Sequence, residues 1–128
     1  GDVMVSRDYF NQGCEMTNVD LDEKGSYISG NDASLVYHLQ AQETGKYKLT
    51  LYYKYNGNVD TQNDLGSVEV VIDNQDGSQT RHTIDLQAQE TDATIEGIRV
   101  SEGDSYSITI QLNVPKIELD YIEYQTQK

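Results

Sequence analysis

Tyr52 sits between Thr50 and Lys54 on the polar side of a strictly alternating run, where its ring is expected to face outward. A tyrosine ring held this way offers a flat apolar surface. The C–H face of a sugar ring stacks on such a surface, while its hydroxyls need planar amides and charged groups around them. Lys54 supplies a cation and Asn56 an amide within four residues of Tyr52. Tyr55 adjoins Asn56 and is a second ring for the same rim, although alternation assigns it to the core face. Arg81 is expected to point outward from another run. Lys48, Lys54 and Arg81 facing one way could donate to hydroxyls or to a uronic acid; pairing with nearby acids is the competing outcome. Tyr124 and Tyr27 are further stacking platforms, or else they pack at the rim.

Covalent chemistry has little to work with. There is no Gly-x-Ser-x-Gly, no His-Glu-x-x-His and no phosphate loop. His38 and His82 fall on different runs without a nucleophile beside them. Cys14 is the single cysteine, which excludes an internal disulfide and any cysteine-based metal cluster. It is expected in a strand as a small buried hydrophobe. The stretch Asp20-Leu21-Asp22-Glu23-Lys24-Gly25 starts like a calcium loop, but Lys24 occupies the third ligand position and Asn31 the twelfth. Carboxylates are abundant, so a small hydrolase or lyase with two converging acids is a third reading. A 128-residue sandwich is small for such a cleft.

The formal net charge is -13, which sets the chain against nucleic acids and anionic membranes. Neutral glycans, cations and basic proteins are the compatible partners. No apolar run is long enough to insert in a bilayer. At 128 residues the chain reads as one domain, residues 1–128, with enough length for a core without staples. It begins at Gly1-Asp2 without methionine, as an excised module would.

The elements that must position these residues are strands. Apolar spacing is two rather than three and four. In Lys46 to Tyr55, Tyr47, Leu49, Leu51, Tyr53 and Tyr55 share one face, and Lys48, Thr50, Tyr52 and Lys54 the other. The same alternation marks Leu35–Leu39, Val68–Ile72, His82–Leu86 and Tyr106–Leu112. Ile95–Val100 is another strand, with Gly97 as a bulge. Val3–Ser6, Cys14–Val19 and Gly25–Ser29 are weaker. Turn chemistry separates the runs at Gly30-Asn31-Asp32, Glu43-Thr44-Gly45, Asp73 to Gly77 and Ser101 to Asp104. Eight to ten short strands at this spacing imply an all-β fold, a β-sandwich jelly roll of two antiparallel sheets. The longest loop, Asn56 to Leu65, is of a length that is often functional.

The last run, Ile117-Glu118-Leu119-Asp120-Tyr121-Ile122-Glu123-Tyr124, carries a family likeness. So do Gly25-Ser26-Tyr27-Ile28 followed by Ser34-Leu35-Val36-Tyr37-His38-Leu39, and Gly45-Lys46-Tyr47-Lys48-Leu49-Thr50-Leu51-Tyr52-Tyr53. In order and spacing these segments resemble the β-sandwich carbohydrate-binding modules of families 6, 35 and 36. The resemblance implies a non-catalytic module that binds a β-linked plant polysaccharide, xylan before mannan. Such a module targets a glycoside hydrolase in the same chain to its substrate, and it is extracellular or cell-surface as part of a larger secreted enzyme. A cell-surface adhesion or protein-interaction sandwich is the alternative.

The likeness also implies sites. Asp120 matches the aspartate that holds a structural calcium in many of these modules. Their opening Glu-Ala-Glu is replaced here by Val3-Met4-Val5-Ser6-Arg7-Asp8-Tyr9. Two arrangements stay open: calcium retained through Asp8 and Asp120, or Arg7 neutralising Asp120 without metal. The family's loop site pairs two aromatics, one often tryptophan, with an asparagine before the last-strand aspartate. This chain has no tryptophan, and Glu118 stands at the asparagine position. Glu118 with Asp60 and Asp64 would suit the calcium-mediated sugar site of family 36.

Overall fold

The computed structural model describes residues 14–23, 26–57, 64–87 and 92–127. Within them lie eight strands: β1 (Glu15–Leu21), β2 (Tyr27–Gln40), β3 (Gly45–Tyr55), β4 (Asp64–Asp73), β5 (Gln79–Gln87), β6 (Asp92–Val100), β7 (Ser105–Leu112) and β8 (Ile117–Thr126). All pair antiparallel, in the order β5-β4-β7-β2-β8-β3-β6, with β1 alongside β2. The result is the all-β jelly-roll sandwich. The expected strand over Val3–Ser6 lies outside the described residues.

β2 joins the two layers. Its residues Ala33–Gln40 pair with β7, while Tyr27 and Ile28 pair with β8. The turn expected at Gly30-Asn31-Asp32 is instead a bend inside this one strand. Asp32 adopts φ 54° and Asn18, opposite on β1, also adopts φ 54°. Asn and Asp tolerate this left-handed conformation better than other side-chain-bearing residues. The Asn18 side-chain amide donates to the Asn31 carbonyl at 3.0 Å and holds the bend. The register of β1 on β2 breaks between Thr17 and Val19, at the same place.

Both layers bury one face in a shared core. Leu35, Val70 and Ile110 come from one layer, and Leu49, Leu119 and Ile122 from the other. Each such side chain contributes roughly 1.5–3 kcal/mol on leaving water. Polar bonds cross between the layers as well. The Tyr106 and Tyr124 hydroxyls meet at 2.9 Å, and the Tyr53 hydroxyl donates to the Gln87 carbonyl at 3.0 Å. Cys14 is half-buried against the core just ahead of β1, and burial pushes its thiol pKa up.

Two bulges reset the alternation. In β6, Tyr47 pairs with Ile98 but Leu49 pairs with Ile95, and Gly97 takes φ 77° as the expected bulge residue. In β8, Tyr52 pairs with Tyr121 but Tyr53 pairs with Leu119, so Asp120 is the extra residue. Leu119 and Ile122 are consequently both buried although three apart, and Asp120 and Tyr121 both lie outside the core.

Candidate functional site

The β8 bulge brings a second ring beside Tyr52. Tyr121 stacks on it with ring centroids 4.2 Å apart and planes 20° apart. Both rings are half-buried on the outer side of the β3–β8 ladder. The Tyr52 phenol pKa is raised, first by partial desolvation, then by the Glu123 carboxylate and by Tyr121. The ring therefore stays neutral throughout the ordinary pH range.

A charged cluster flanks the rings. Lys54 and Glu118 are register partners on β3 and β8, and Lys54 Nζ lies 3.3 Å from Glu118 Oε2. Asn56 Nδ2 donates to Glu118 Oε1 at 3.0 Å. The Glu118 side chain is only 17% exposed and takes both contacts, whereas that of Lys54 is 65% exposed. Asp120 projects from the bulge, with Oδ1 3.5 Å from Ser26 Oγ. The Ser26 backbone N–H donates to Asp22 Oδ1 at 2.8 Å. Ser26, Tyr52, Tyr53, Lys54, Glu118, Asp120 and Tyr121 line a pocket of about 400 Å³. That volume lies within the usual range of small-ligand sites, about 300–1,000 Å³.

Of the residues singled out in the sequence, Tyr52, Lys54, Asn56, Glu118 and Asp120 come together here. Tyr55 is half-buried against the core, as alternation implied. Arg81 is elsewhere: it sits on β5, which no ladder joins to β3 or β8, and its Nη1 meets Glu69 Oε1 at 3.0 Å. Tyr124 is a correction. It is 3% exposed, stacked on Tyr47 and hydrogen-bonded to Tyr106, because the bulge turns the end of β8 to bring positions 122 and 124 inward. Tyr27 is buried completely. Arg7, Asp8 and Asp60 lie outside the described residues, as does the side chain of Asp64. Tyr121 was missed, since strict alternation from Ile117 and Leu119 puts it in the core. The three-residue step from Leu119 to Ile122 was the available signal.

The calcium expected at Asp120 meets no cluster of three or more Asp, Glu, His or Cys side chains among the described residues. Calcium takes about six to eight oxygens. Asp8, the second ligand expected for that site, lies outside the described residues.

No family profile matches the sequence, and no curated protein matches it. Solved structures do match in fold. A family 35 carbohydrate-binding module from Clostridium thermocellum aligns with TM-score 0.63 at 11% identity, over 99% of this chain and 100% of that one. A family 35 module in complex with a glucuronic acid containing disaccharide aligns with TM-score 0.55 at 16% identity, over 91% and 90%. A family 6 module from Cellvibrio mixtus lichenase 5A, in complex with cellotriose, aligns with TM-score 0.56 at 17% identity, over 89% and 91%. The chain thus has the fold of β-sandwich carbohydrate-binding modules. Within that class it is the fold of families 35 and 6.

Proposed function

We propose that this protein is a non-catalytic module that binds a β-linked plant polysaccharide, xylan in preference to mannan. It holds an attached glycoside hydrolase on that substrate outside the cell. The observation that carries the reading is the Tyr52–Tyr121 stack beside the Lys54–Glu118–Asn56 cluster, in one pocket on an open sheet face. The rings offer an apolar surface to the C–H face of a sugar, and the cluster offers hydroxyls a cation, an amide and a carboxylate. The fold supports it, since two of the similar modules were solved with sugars and one of these belongs to a lichenase.

Local charge favours a neutral backbone sugar over a uronic acid. Lys54 is already paired with Glu118, and Asp120 adds a negative charge to the same pocket. An open groove of this kind gives dissociation constants from micromolar to millimolar, about 4 to 8 kcal/mol. Tethering then raises the local concentration of the attached enzyme on the polymer.

Affinity electrophoresis through gels containing soluble xylan, mannan or β-glucan tests the reading with wild type and Tyr52→Ala. Retardation by xylan that the substitution removes is the expected result. No retardation by any of the three polymers would overturn it.

A further inference from the structure

A second cavity, larger than the tyrosine pocket, lies where the sandwich fails to close. β5 and β6 are the two ends of the strand order, and no ladder joins them. Between them is a space of about 590 Å³, floored by Ile72 and Ile98 and walled by the β4–β5 turn, the Gly97 bulge and Asp104. None of the tyrosine-pocket residues lines it.

Its wall is built in advance. Asp76 accepts from the Ser78 backbone N–H at 2.9 Å and from the Ser78 hydroxyl at 2.6 Å. Both bonds reach Oδ1 and hold the Asp76 carboxyl below the usual carboxylate range. Gln75 Oε1 accepts from the Ser105 backbone N–H at 2.7 Å and ties the turn to the start of β7. The groups left over are different in kind. His82 Nε2 is buried and meets no hydrogen-bond partner in the described structure. The Arg99 guanidinium and the Asp104 carboxylate make no ion pair or side-chain hydrogen bond with any described residue. A buried polar atom without a partner costs free energy, so its retention calls for an explanation.

We propose that this seam is a second binding site, taking one neutral hydroxyl-rich ring such as a terminal or branch sugar. Ile72 and Ile98 face the C–H surface of the ring. Arg99 donates to one hydroxyl, Asp104 accepts from another, and His82 Nε2 receives the group that reaches the floor. A carboxylated ligand fits less well, because Asp76 and Asp104 both border the space in a chain of net charge -13. The proposal is independent of the tyrosine pocket, with which it shares no residue.

The test is a backbone amide NMR titration of the whole chain with xylotetraose, mannotetraose and cellotetraose, and separately with glucuronate, each to about 10 mM. We expect one of the three tetraoses to shift Gly97, Ile98, Arg99 and Asp104. Arg99→Met, which removes an exposed and unpaired cation and so spares the fold, should weaken that response about tenfold, the value of one charge-assisted hydrogen bond. In Tyr52→Ala the seam response should persist while shifts around Tyr121 vanish. Failure of the tyrosine pocket alone therefore reads out separately. Silence of the seam with all three sugars overturns the proposal, as does a seam response unchanged in Arg99→Met. A response to glucuronate alone overturns the neutral-ring assignment.

Discussion

Two stacked tyrosine pairs bridge the same two strands, one inside the sandwich and one outside. Tyr47 and Tyr124 stack with centroids 4.8 Å apart, buried, with the Tyr124 hydroxyl bonded to Tyr106. Tyr52 and Tyr121 stack at 4.2 Å, half-exposed, next to an ion pair. On β3 the rings are five residues apart and on β8 three apart, both odd numbers, so the pairs fall on opposite faces. The Asp120 bulge decides which β8 tyrosine goes where. Side-chain chemistry is identical in the two pairs, and one inserted residue separates a packing role from a surface available to ligand.

The largest expected effect is on stability, and it should divide the pairs. Tyr124→Ala empties a packed site and removes the hydrogen bond to the Tyr106 hydroxyl, so it should cost about 3–5 kcal/mol in denaturant unfolding. Tyr52→Ala should cost less than about 1 kcal/mol, as an outward substitution. Equal losses would abolish the contrast.

Binding should divide them the other way. Losing one stacking platform is worth about 1–2 kcal/mol, so Tyr52→Ala or Tyr121→Ala should weaken xylan retention by a factor of about 5–30. Tyr124→Phe keeps the core ring and should leave retention unchanged. A loss in Tyr124→Phe equal to that in Tyr52→Ala would mean that the outer pair is not the platform.

Alkali sharpens the comparison further. Burial is the leading cause that raises the pKa of Tyr37 and of Tyr124, both far above the ordinary value of 10.0. A raised folded pKa gives stability that is whole below pH 10 and is lost as pH climbs above it, because only the unfolded chain releases the proton. Each such tyrosine should steepen the fall by about 1.4 kcal/mol per pH unit. Tyr124→Phe should reduce the slope above pH 10 by about that amount. An unchanged slope would take Tyr124 out of the core.

Much of this was legible from alternation. The inward set Tyr47, Leu49, Leu51 and Tyr53 on β3 is buried as the spacing implies, and Gly97 is the β6 bulge. Glycine announces a bulge because it takes positive φ at little cost. The Asp120 bulge has no such residue to mark it. Its only trace is the step from Leu119 to Ile122, so Tyr121 and Tyr124 exchange their expected sides. The bend in β2 was hidden for a related reason: Gly30-Asn31-Asp32 is good turn chemistry, and only pairing with two different neighbours shows that the strand continues. Arg81 looked like a site residue because outwardness is readable locally, while membership of the same patch as Tyr52 depends on strand order, which local pattern does not encode. The seam was invisible likewise, since it joins β5 to β6 across the ends of that order.

The smallest expected effect concerns Asp120 itself. Its side chain is exposed on the bulge, 3.5 Å from the Ser26 hydroxyl. An interaction of an exposed carboxylate adds little to the fold, so Asp120→Asn should change stability by less than about 1 kcal/mol. Chelation should likewise move the melting temperature by no more than about 3 °C. Should both treatments lower it by ten degrees or more, with calcium restoring the wild type alone, Asp8 and Asp120 would share a structural ion. The outer tyrosine pair would then sit on a metal-braced bulge, and its geometry would owe more to that ion than to the hydrogen bonds of β3 and β8.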